Sequence, residues 1–305
     1  MSDLLAIGEA LVELNQAAEG GPFVQGFGGD TSNAMIAAAR LGADAADFTA
    51  VGADRFGQAL TELWMREGVD ASRIVVSGGA HTGLYFVSHG ADGHSFCYLR
   101  AGSAASRIGE PDLPVDRIRA TKILHVSGIS QAISSSAADA VFAAIDIARD
   151  AQRLVSYDPN LRLKLWPLRR ARAIIHEAMR SCDIALPGVD DALALTGLSD
   201  PDAIVDFYLK LGAKVVALKI GKAGAMVATA KGRAKIAARK VAAVDATGAG
   251  DCFDGAFLTE FVREGDPFAA ARFANIAAAL STLGYGAVAP LPRRMEVEAI
   301  MRAKT

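Results

Sequence analysis

Beyond Lys122 the chain alternates between short apolar runs and longer amphipathic segments, and this pattern restricts the possible folds more than any other feature. Apolar runs typical of buried strands end at or near Val126, Asp158, Leu186 and Lys219, and segments of helical periodicity separate them. Strands that alternate with helices form a mostly parallel sheet with helices on both faces. We therefore predict an α/β fold, and no repeat or linker divides off a second large domain.

Polar residues follow several of the predicted strands. In parallel sheets of this kind, ligands bind at the carboxyl ends of the strands. We therefore expect a binding site where these polar residues converge. They are Ser127, Gly128, Asp158, Asn160, Arg162, Lys219, Gly221 and Gly224.

A glycine-rich turn precedes a helix within residues 245–257. Gly248 and Gly250 permit backbone conformations that other residues avoid, and the apolar residues after them recur at the spacing of one buried helix face. We therefore predict a helix that begins near Asp251. Free N–H groups and a partial positive charge at a helix start bind phosphate or a developing anion. Asp251 is then either a simple N-cap or a reactive carboxylate beside this anion-binding turn.

A second glycine-rich segment lies nearer the N-terminus. Gly28 and Gly29 allow the backbone to approach a ligand closely, and Asp30 or Thr31 is expected to cap the helix that follows. Asn33 lies in the first turn of this helix. Its amide both donates and accepts hydrogen bonds, which suits a polyol, but an exposed structural asparagine fits the same position.

Residues 82–89 and 94–100 alternate in polarity and are expected to form a β-hairpin. The hairpin suits a lid, because Tyr85 and Tyr98 offer aromatic edges and the Arg100 guanidinium matches a carboxylate in bidentate geometry. The alternative is a hairpin packed by its own tyrosines, with Arg100 in solvent.

The composition limits the range of partners. The chain has 305 residues, of which 51% are hydrophobic, and this is ample for a sizeable core. A net charge of −2 gives no long-range attraction to nucleic acid or to an anionic membrane. The N-terminal residues have neither a basic start nor a long apolar run, so we expect no signal peptide and no membrane span.

Three common signatures are missing. The P-loop pattern and the Gly-x-Gly-x-x-Gly dinucleotide fingerprint do not occur, and the histidines lack zinc-site spacing. Cys97, Cys182 and Cys252 are scattered, which argues against a disulfide framework and fits a cytoplasmic protein. Cys252, beside the anion-binding turn, is a candidate reactive thiol.

Two motifs together identify a family resemblance. Asp245-Ala-Thr-Gly-Ala-Gly-Asp251 resembles the C-terminal signature of the ribokinase-like (PfkB-type) carbohydrate kinases, and Gly26-Phe-Gly-Gly-Asp-Thr-Ser-Asn33 resembles their N-terminal signature. Within that family the chain is most similar to the 2-keto-3-deoxygluconate kinases, through Tyr98-Leu-Arg100-Ala-Gly-Ser103 and Asp158-Pro-Asn160-Leu-Arg162. The resemblance spans nearly the whole chain.

The resemblance implies a ribokinase-like three-layer fold in one domain of residues 1–305, with a small β-strand lid from about residues 10–27 and 82–101. It implies an ATP-dependent kinase that phosphorylates the terminal hydroxyl of 2-keto-3-deoxygluconate with Mg²⁺, and a monovalent cation as a candidate addition. A homodimer or higher oligomer through the lid is expected, because uncovered strand edges are a liability. The alternatives are a kinase for fructose, ribose or a nucleoside, and a sugar-binding sensor without activity.

Residue roles follow from the same resemblance. Asp251 would be the catalytic base, ionised because it stands at a helix start, and the turn from Gly248 through the amides of Ala249, Gly250 and Asp251 would form the anion hole. The sugar hydroxyls would be held by Gly28, Gly29 and Asn33. The acid-sugar pocket would be shaped by Tyr85, Tyr98, Arg100 and Arg162. The ATP site would include Lys219, Gly221, Gly224 and Asn275.

The sequence departs from the family pattern at two places. Ala246 replaces a threonine that is common in the C-terminal signature. Many relatives have an Asn-x-x-Glu motif that organises magnesium, whereas this chain has Gly188-Val-Asp-Asp191. Asp191 is then expected to hold Mg²⁺ through a water molecule.

Overall fold

A large central sheet organises the protein. The computed structural model describes residues 2–16, 20–90 and 93–303, and within them eight strands form this sheet in the order β14-β13-β12-β11-β10-β9-β1-β4. The strands of the described chain are β1 Leu4–Ile7, β2 Leu11–Gln16, β3 Phe23–Gly28, β4 Ala45–Phe48, β5 Ala50–Gly52, β6 Val75–Ser77, β7 Leu84–Gly90, β8 Gly93–Leu99, β9 Ile123–Ser127, β10 Leu154–Asp158, β11 Ile184–Ala185, β12 Val215–Lys219, β13 Ala225–Thr229 and β14 Gly232–Ile236.

Helices cover both faces of the sheet. They are α1 Asp30–Arg40, α2 Arg55–Glu67, α3 Val115–Ala120, α4 Gly128–Ala132, α5 Ser135–Asp150, α6 Leu168–Arg180, α7 Val189–Thr196, α8 Pro201–Leu211, α9 Ala249–Glu264, α10 Pro267–Ser281 and α11 Arg294–Arg302. Side chains of successive strand residues point to opposite faces, so Leu4 and Ala6 join one hydrophobic core while Leu5 and Ile7 join the other. The first core lies against α1, α9 and α10, and the second lies against α5, α6 and α8.

The pairing of the central strands confirms the predicted parallel sheet. β4, β1, β9, β10, β11 and β12 run parallel to one another in register, which brings their carboxyl ends to one edge of the sheet. Asp158 at the end of β10 lies opposite Ser127 at the end of β9. The polar residues that follow the strands therefore gather at this edge, as the sequence predicts.

A second, smaller sheet stands beside this edge. Its four strands follow the order β3-β2-β7-β8, with β2 and β7 parallel and the outer pairs antiparallel. It contains the predicted hairpin of β7 and β8. We refer to these four strands as the lid sheet.

Several predicted boundaries are wrong. Residues 45–52 form two separate strands, because β4 joins the central sheet while β5 pairs with β6. The antiparallel strands β13 and β14 at one sheet edge were not expected at all. The helix α1 is preceded by Gly29 with φ of 112°, and neither Asp30 nor Thr31 is its N-cap. Both lie inside the helix.

Two further expectations concern the Cys252 thiol and membrane-spanning segments. The Cys252 side chain is fully buried, and burial raises the pKa of its thiol to about 12, so the expectation of a reactive thiol is wrong. None of the helices in the described part of the chain combines the length and the apolar character needed to span a membrane.

Candidate active site

A cavity of about 610 Å³ opens between the carboxyl edge of the central sheet and the lid sheet. It is lined by glycines, carboxylates, two tyrosines and three basic side chains. Thirteen of the predicted site residues line it, and they are Gly28, Gly29, Asn33, Tyr85, Tyr98, Arg100, Arg162, Asp191, Lys219, Gly221, Gly248, Gly250 and Asp251. Residues from both signature motifs therefore meet in one cavity.

The other three predicted site residues do not line this cavity. Ala249 begins α9. Gly224 has φ of 102°, and a Cβ there would lie 2.0 Å from the carbonyl oxygen of Ile236. Asn275 donates a hydrogen bond from Nδ2 to the same oxygen at 3.0 Å. Gly224 and Asn275 thus fix the end of β14, and their role toward ATP stays a prediction.

The anion-binding turn begins α9 two residues earlier than predicted. Gly248 is the N-cap with φ of 74°, and Asp251 is the third residue of the helix, so the interpretation of Asp251 as the N-cap is wrong. A Cβ on Gly248 would lie 2.9 Å from Cβ of Ala287, which the fold cannot accommodate without movement. A Cβ on Gly250 would meet only Lys219 Nζ, at 3.8 Å, so open space lies in front of the helix start.

Asp251 is a partly buried carboxylate that accepts a side-chain hydrogen bond from Asn33. Asn33, which is buried and not exposed, donates from Nδ2 to Asp251 Oδ2 at 2.8 Å. Burial and the neighbouring Asp30 carboxylate raise the pKa of Asp251 to about 7, although the Asn33 hydrogen bond acts in the opposite direction. Burial and the Asp30 carboxylate therefore act against the ionised form that the helix start was expected to favour.

Lys219 is held between two aspartates. Its Nζ lies 2.9 Å from Asp158 Oδ2 and 2.8 Å from Asp254 Oδ2. Burial lowers the pKa of Lys219, but the two carboxylates outweigh it and hold that pKa above its usual value. Sequence reasoning missed Asp254. The available signal was a charged residue on the apolar face of α9, where an unpaired carboxylate would be costly.

Arg100 and Tyr85 are each engaged by a buried glutamate. Arg100 forms an ion pair with Glu9, and the Tyr85 hydroxyl donates a hydrogen bond to Glu13. The alternative with Arg100 in solvent is therefore wrong, and recognition of a substrate carboxylate by Arg100 stays a prediction. Sequence reasoning missed Glu9 as a site residue, although it follows β1 at the edge where the other strands end in polar residues.

Arg162 differs from Arg100 in its contacts. Its Nη1 donates to the carbonyl oxygen of Leu161 at 3.0 Å, and no carboxylate in the described part of the chain forms an ion pair with it. The guanidinium lines the cavity and keeps further N–H groups for a ligand.

Two carboxylates at the start of α7, Asp190 and Asp191, complete the cavity wall. Burial and the Asp158 carboxylate raise the pKa of Asp191 to about 6, although the Arg162 and Lys219 charges act in the opposite direction. Hard divalent cations prefer such oxygen ligands, so these residues fit Mg²⁺. In the described chain no three His, Cys, Asp or Glu side chains form a ready metal cluster, so an ion here would share its ligands with a bound molecule.

Comparison with known proteins gives consistent matches. The sequence model of the pfkB family carbohydrate kinases matches residues 1–294. The chain is 35% identical to the 2-dehydro-3-deoxygluconokinase of Thermoproteus tenax, over 99% of this chain and 95% of the relative. It is 34% identical to Fructokinase-1 of Oryza sativa subsp. japonica, over 94% and 91%. The crystal structure of fructokinase from Vibrio cholerae O395 with fructose, ADP and calcium ion has a TM-score of 0.88 and 27% identity, over 98% of each chain.

Proposed function

Because the chain belongs to the pfkB family of carbohydrate kinases, we propose that this sugar kinase transfers the γ-phosphoryl group of ATP to the terminal hydroxyl of 2-keto-3-deoxygluconate. The single observation that carries the choice of an acid sugar is Arg162, a guanidinium in the cavity wall without a carboxylate partner in the described chain. A substrate carboxylate supplies that partner in bidentate geometry. The chain is similar to two proteins named 2-dehydro-3-deoxygluconokinase, and this name refers to the same sugar acid, which supports the proposal.

Asp251 acts as the base in this proposal. Its carboxylate faces the cavity beside the start of α9, so an incoming hydroxyl at Asp251 also stands next to the helix N–H groups. Phosphoryl transfer has a loose transition state with charge spread over the phosphoryl oxygens, so positioning and positive dipoles contribute more than base strength. The N–H groups of Gly250 and Asp251 supply that dipole, whereas the Ala249 N–H donates to the carbonyl oxygen of Ala246 at 3.2 Å. The space in front of Gly250 admits the phosphoryl group.

Mg²⁺, when bound with ATP, neutralises part of the phosphate charge. Asp190 and Asp191 would hold it, directly or through water. Lys219 Nζ stands 3.8 Å from the position of a Cβ on Gly250, so its ammonium lies beside the anion-binding turn, where two carboxylates offset its charge. Asp158 and Asp254 keep the ammonium in that place.

A neutral ketose is the second candidate substrate. Glu9 neutralises Arg100, so the cavity carries one unpaired guanidinium and not two. Fructokinases also occur among the relatives of similar identity.

A substrate panel with three arginine variants tests the proposal. ADP release is measured with Mg²⁺-ATP and 2-keto-3-deoxygluconate, fructose, ribose or adenosine. We expect turnover of the acid, and Arg162→Ala should raise its KM on the order of 10- to 100-fold, because a hydrogen-bonded charge pair is lost. Arg100→Ala reports whether the arginine paired with Glu9 contributes to binding of the substrate carboxylate. The control is Arg169→Ala, an exposed arginine on α6 outside the cavity.

The outcomes separate the candidate substrates. Equal effects of Arg162→Ala on an acid and on fructose would exclude recognition of a carboxylate by this residue. Exclusive turnover of fructose would replace the acid with the neutral ketose, and no turnover with any sugar would favour a sensor.

We further propose that the protein is a homodimer or higher oligomer that pairs lid sheet with lid sheet. Apolar side chains on β3 and β8, the two edge strands of that sheet, support this arrangement. They are Phe23, Val24, Phe96 and Leu99.

A further inference from the structure

The loop between α10 and α11, residues 282–293, packs against the anion-binding turn. The Gly286 N–H donates a hydrogen bond to Asp245 Oδ2 at 2.9 Å. A Cβ on Gly248 would lie 2.9 Å from Cβ of Ala287, so the N-cap of α9 rests directly against the loop. The position of the turn therefore depends on the position of this loop, which we call the α10–α11 loop.

Arg40, the last residue of α1, holds the α10–α11 loop. Its Nη1 donates to the carbonyl oxygens of Leu291 at 2.6 Å and Val288 at 3.1 Å. Its Nε and Nη2 donate to the two carboxylate oxygens of Glu67 in α2, at 2.7 and 2.9 Å. The Arg40 and Glu67 side chains are only 11% and 13% exposed. Because a guanidinium binds in a fixed planar geometry, these contacts restrain the loop more tightly than a single hydrogen bond would.

The helix that carries Arg40 also holds the proposed base. In its first turn, Asn33 donates to Asp251 Oδ2 at 2.8 Å. Arg40 follows about two helical turns later, so the two side chains lie on the same side of α1. The helices α1 and α9 approach closely, since a Cβ on Gly255 would lie 2.1 Å from the carbonyl oxygen of Ala34. One helix therefore restrains the base at one end and the α10–α11 loop at the other.

These restraints bear on the reaction because the N–H groups at the helix start must point to where negative charge develops. A displacement of about 1 Å in such a group lowers the rate on the order of 100-fold. Arg40 itself is not among the described residues that line the cavity. Its effect on the reaction therefore passes through the α10–α11 loop and Gly248.

We infer that Arg40 is a positioning residue for phosphoryl transfer. Arg40 fixes the α10–α11 loop, the loop fixes the backbone of Gly248, and this backbone sets the direction of the Gly250 and Asp251 N–H groups. The inference rests on the proposed function, since it concerns the step in which these N–H groups bind the transferred phosphoryl group.

The first test separates kcat from KM in Arg40→Ala. ADP release is measured with Mg²⁺-ATP and whichever sugar of the panel turns over. We expect kcat to fall on the order of 10- to 100-fold, because the N–H groups are no longer held in place. The KM for the sugar should change little, because Arg40 does not line the cavity. A wild-type kcat in Arg40→Ala would overturn the inference.

A double variant distinguishes positioning from stability. Arg40→Ala alone leaves the Glu67 carboxylate without its cation, which destabilises the fold. Adding Glu67→Gln removes that charge, so the melting temperature should recover in part, whereas kcat should stay low because the loop is still not held. Recovery of kcat together with the melting temperature would overturn the inference, since Arg40 would then contribute to stability alone.

Rescue by guanidinium ion provides a second readout. Guanidinium chloride, far below the concentrations that unfold the protein, should raise kcat of Arg40→Ala, because the ion fits the space left by the side chain. Sodium chloride and urea at the same concentrations should not. The matched control is Arg294→Ala, since Arg294 also binds a carboxylate and a carbonyl oxygen, those of Glu260 at 2.8 Å and Leu41 at 2.6 Å. A loss of kcat in this control equal to that of Arg40→Ala would overturn the inference.

Hydrogen exchange separates this inference from the proposed function. Arg40→Ala should speed amide exchange in residues 245–250 and 284–291 and leave the central strand β9 at the wild-type rate. Wild-type exchange in residues 245–250 of Arg40→Ala would overturn the inference, whichever sugar is turned over. If no sugar is phosphorylated, the proposed function fails, and these exchange rates still decide whether Arg40 positions the turn.

Discussion

At the scale of single residues, the carboxylates of the cavity behave according to their burial and not according to their position in the sequence. The sequence places Asp251 at a helix start, where an anion is stabilised. The sequence does not show that Asp30 and Asp158 lie near Asp251 in the fold. Burial and these two neighbouring carboxylates raise the pKa of Asp251 to about 7. Pairings such as Asn33 with Asp251, which are 218 positions apart, depend on the folded chain.

This pKa leads to an expected pH dependence. A general base works only when it is deprotonated, so kcat/KM for the sugar should rise with pH through about 7 and level off above it. Because the Asn33 hydrogen bond lowers the pKa of Asp251, Asn33→Ala should move the midpoint to higher pH. Asp251→Asn should abolish turnover while sugar binding survives. Steady-state rates and calorimetry check these outcomes, and near-normal turnover of Asp251→Asn would exclude the residue as the base.

At the scale of elements, periodicity predicted which helices and strands exist better than where they begin. The apolar spacing after Gly250 correctly predicted α9, but its start depends on the left-handed conformation of Gly248 against Ala287, which spacing does not encode. The strands β13 and β14 were missed although the sequence carries a signal for both. β13 is an apolar run, and in β14 Arg233 and Lys235 alternate with Ala234 and Ile236.

Two alanine substitutions at the anion-binding turn should have opposite consequences. Gly248→Ala forces a positive φ on a residue with a Cβ and meets Ala287, so we expect a loss of at least about 1–2 kcal/mol in the free energy of unfolding. Gly250→Ala sits inside a helix with free space around it, so stability should be kept while turnover falls, because the methyl group occupies the space in front of the helix start. Urea unfolding and ADP release measure the two effects. A stable, fully active Gly250→Ala would show that the phosphoryl group does not approach there.

At the scale of the whole molecule, the alternation of strands and helices was enough to predict the parallel central sheet. The gathering of polar residues at one edge of this sheet could be predicted as well, since the carboxyl ends of parallel strands meet at the same edge. The sequence predicted the four-stranded lid sheet only in part, because its central strands β2 and β7 are separated by some seventy residues of intervening chain. The contact of Glu13 with Tyr85, which are 72 positions apart, is an example of such a long-range pairing.

The lid sheet also determines what we expect in solution. Its edge strands expose Val24 at 62%, Leu99 at 50% and Phe96 at 44%, and exposed apolar edges invite pairing with a second copy. We therefore expect light scattering at micromolar concentration to give at least a dimer. Val24→Lys and Phe96→Lys should shift it toward the monomer, because each places a charge in the proposed interface. Met65→Lys, at an exposed position on α2, is the control and should leave the mass unchanged. A wild-type monomer under these conditions would remove the proposed pairing of lid sheets.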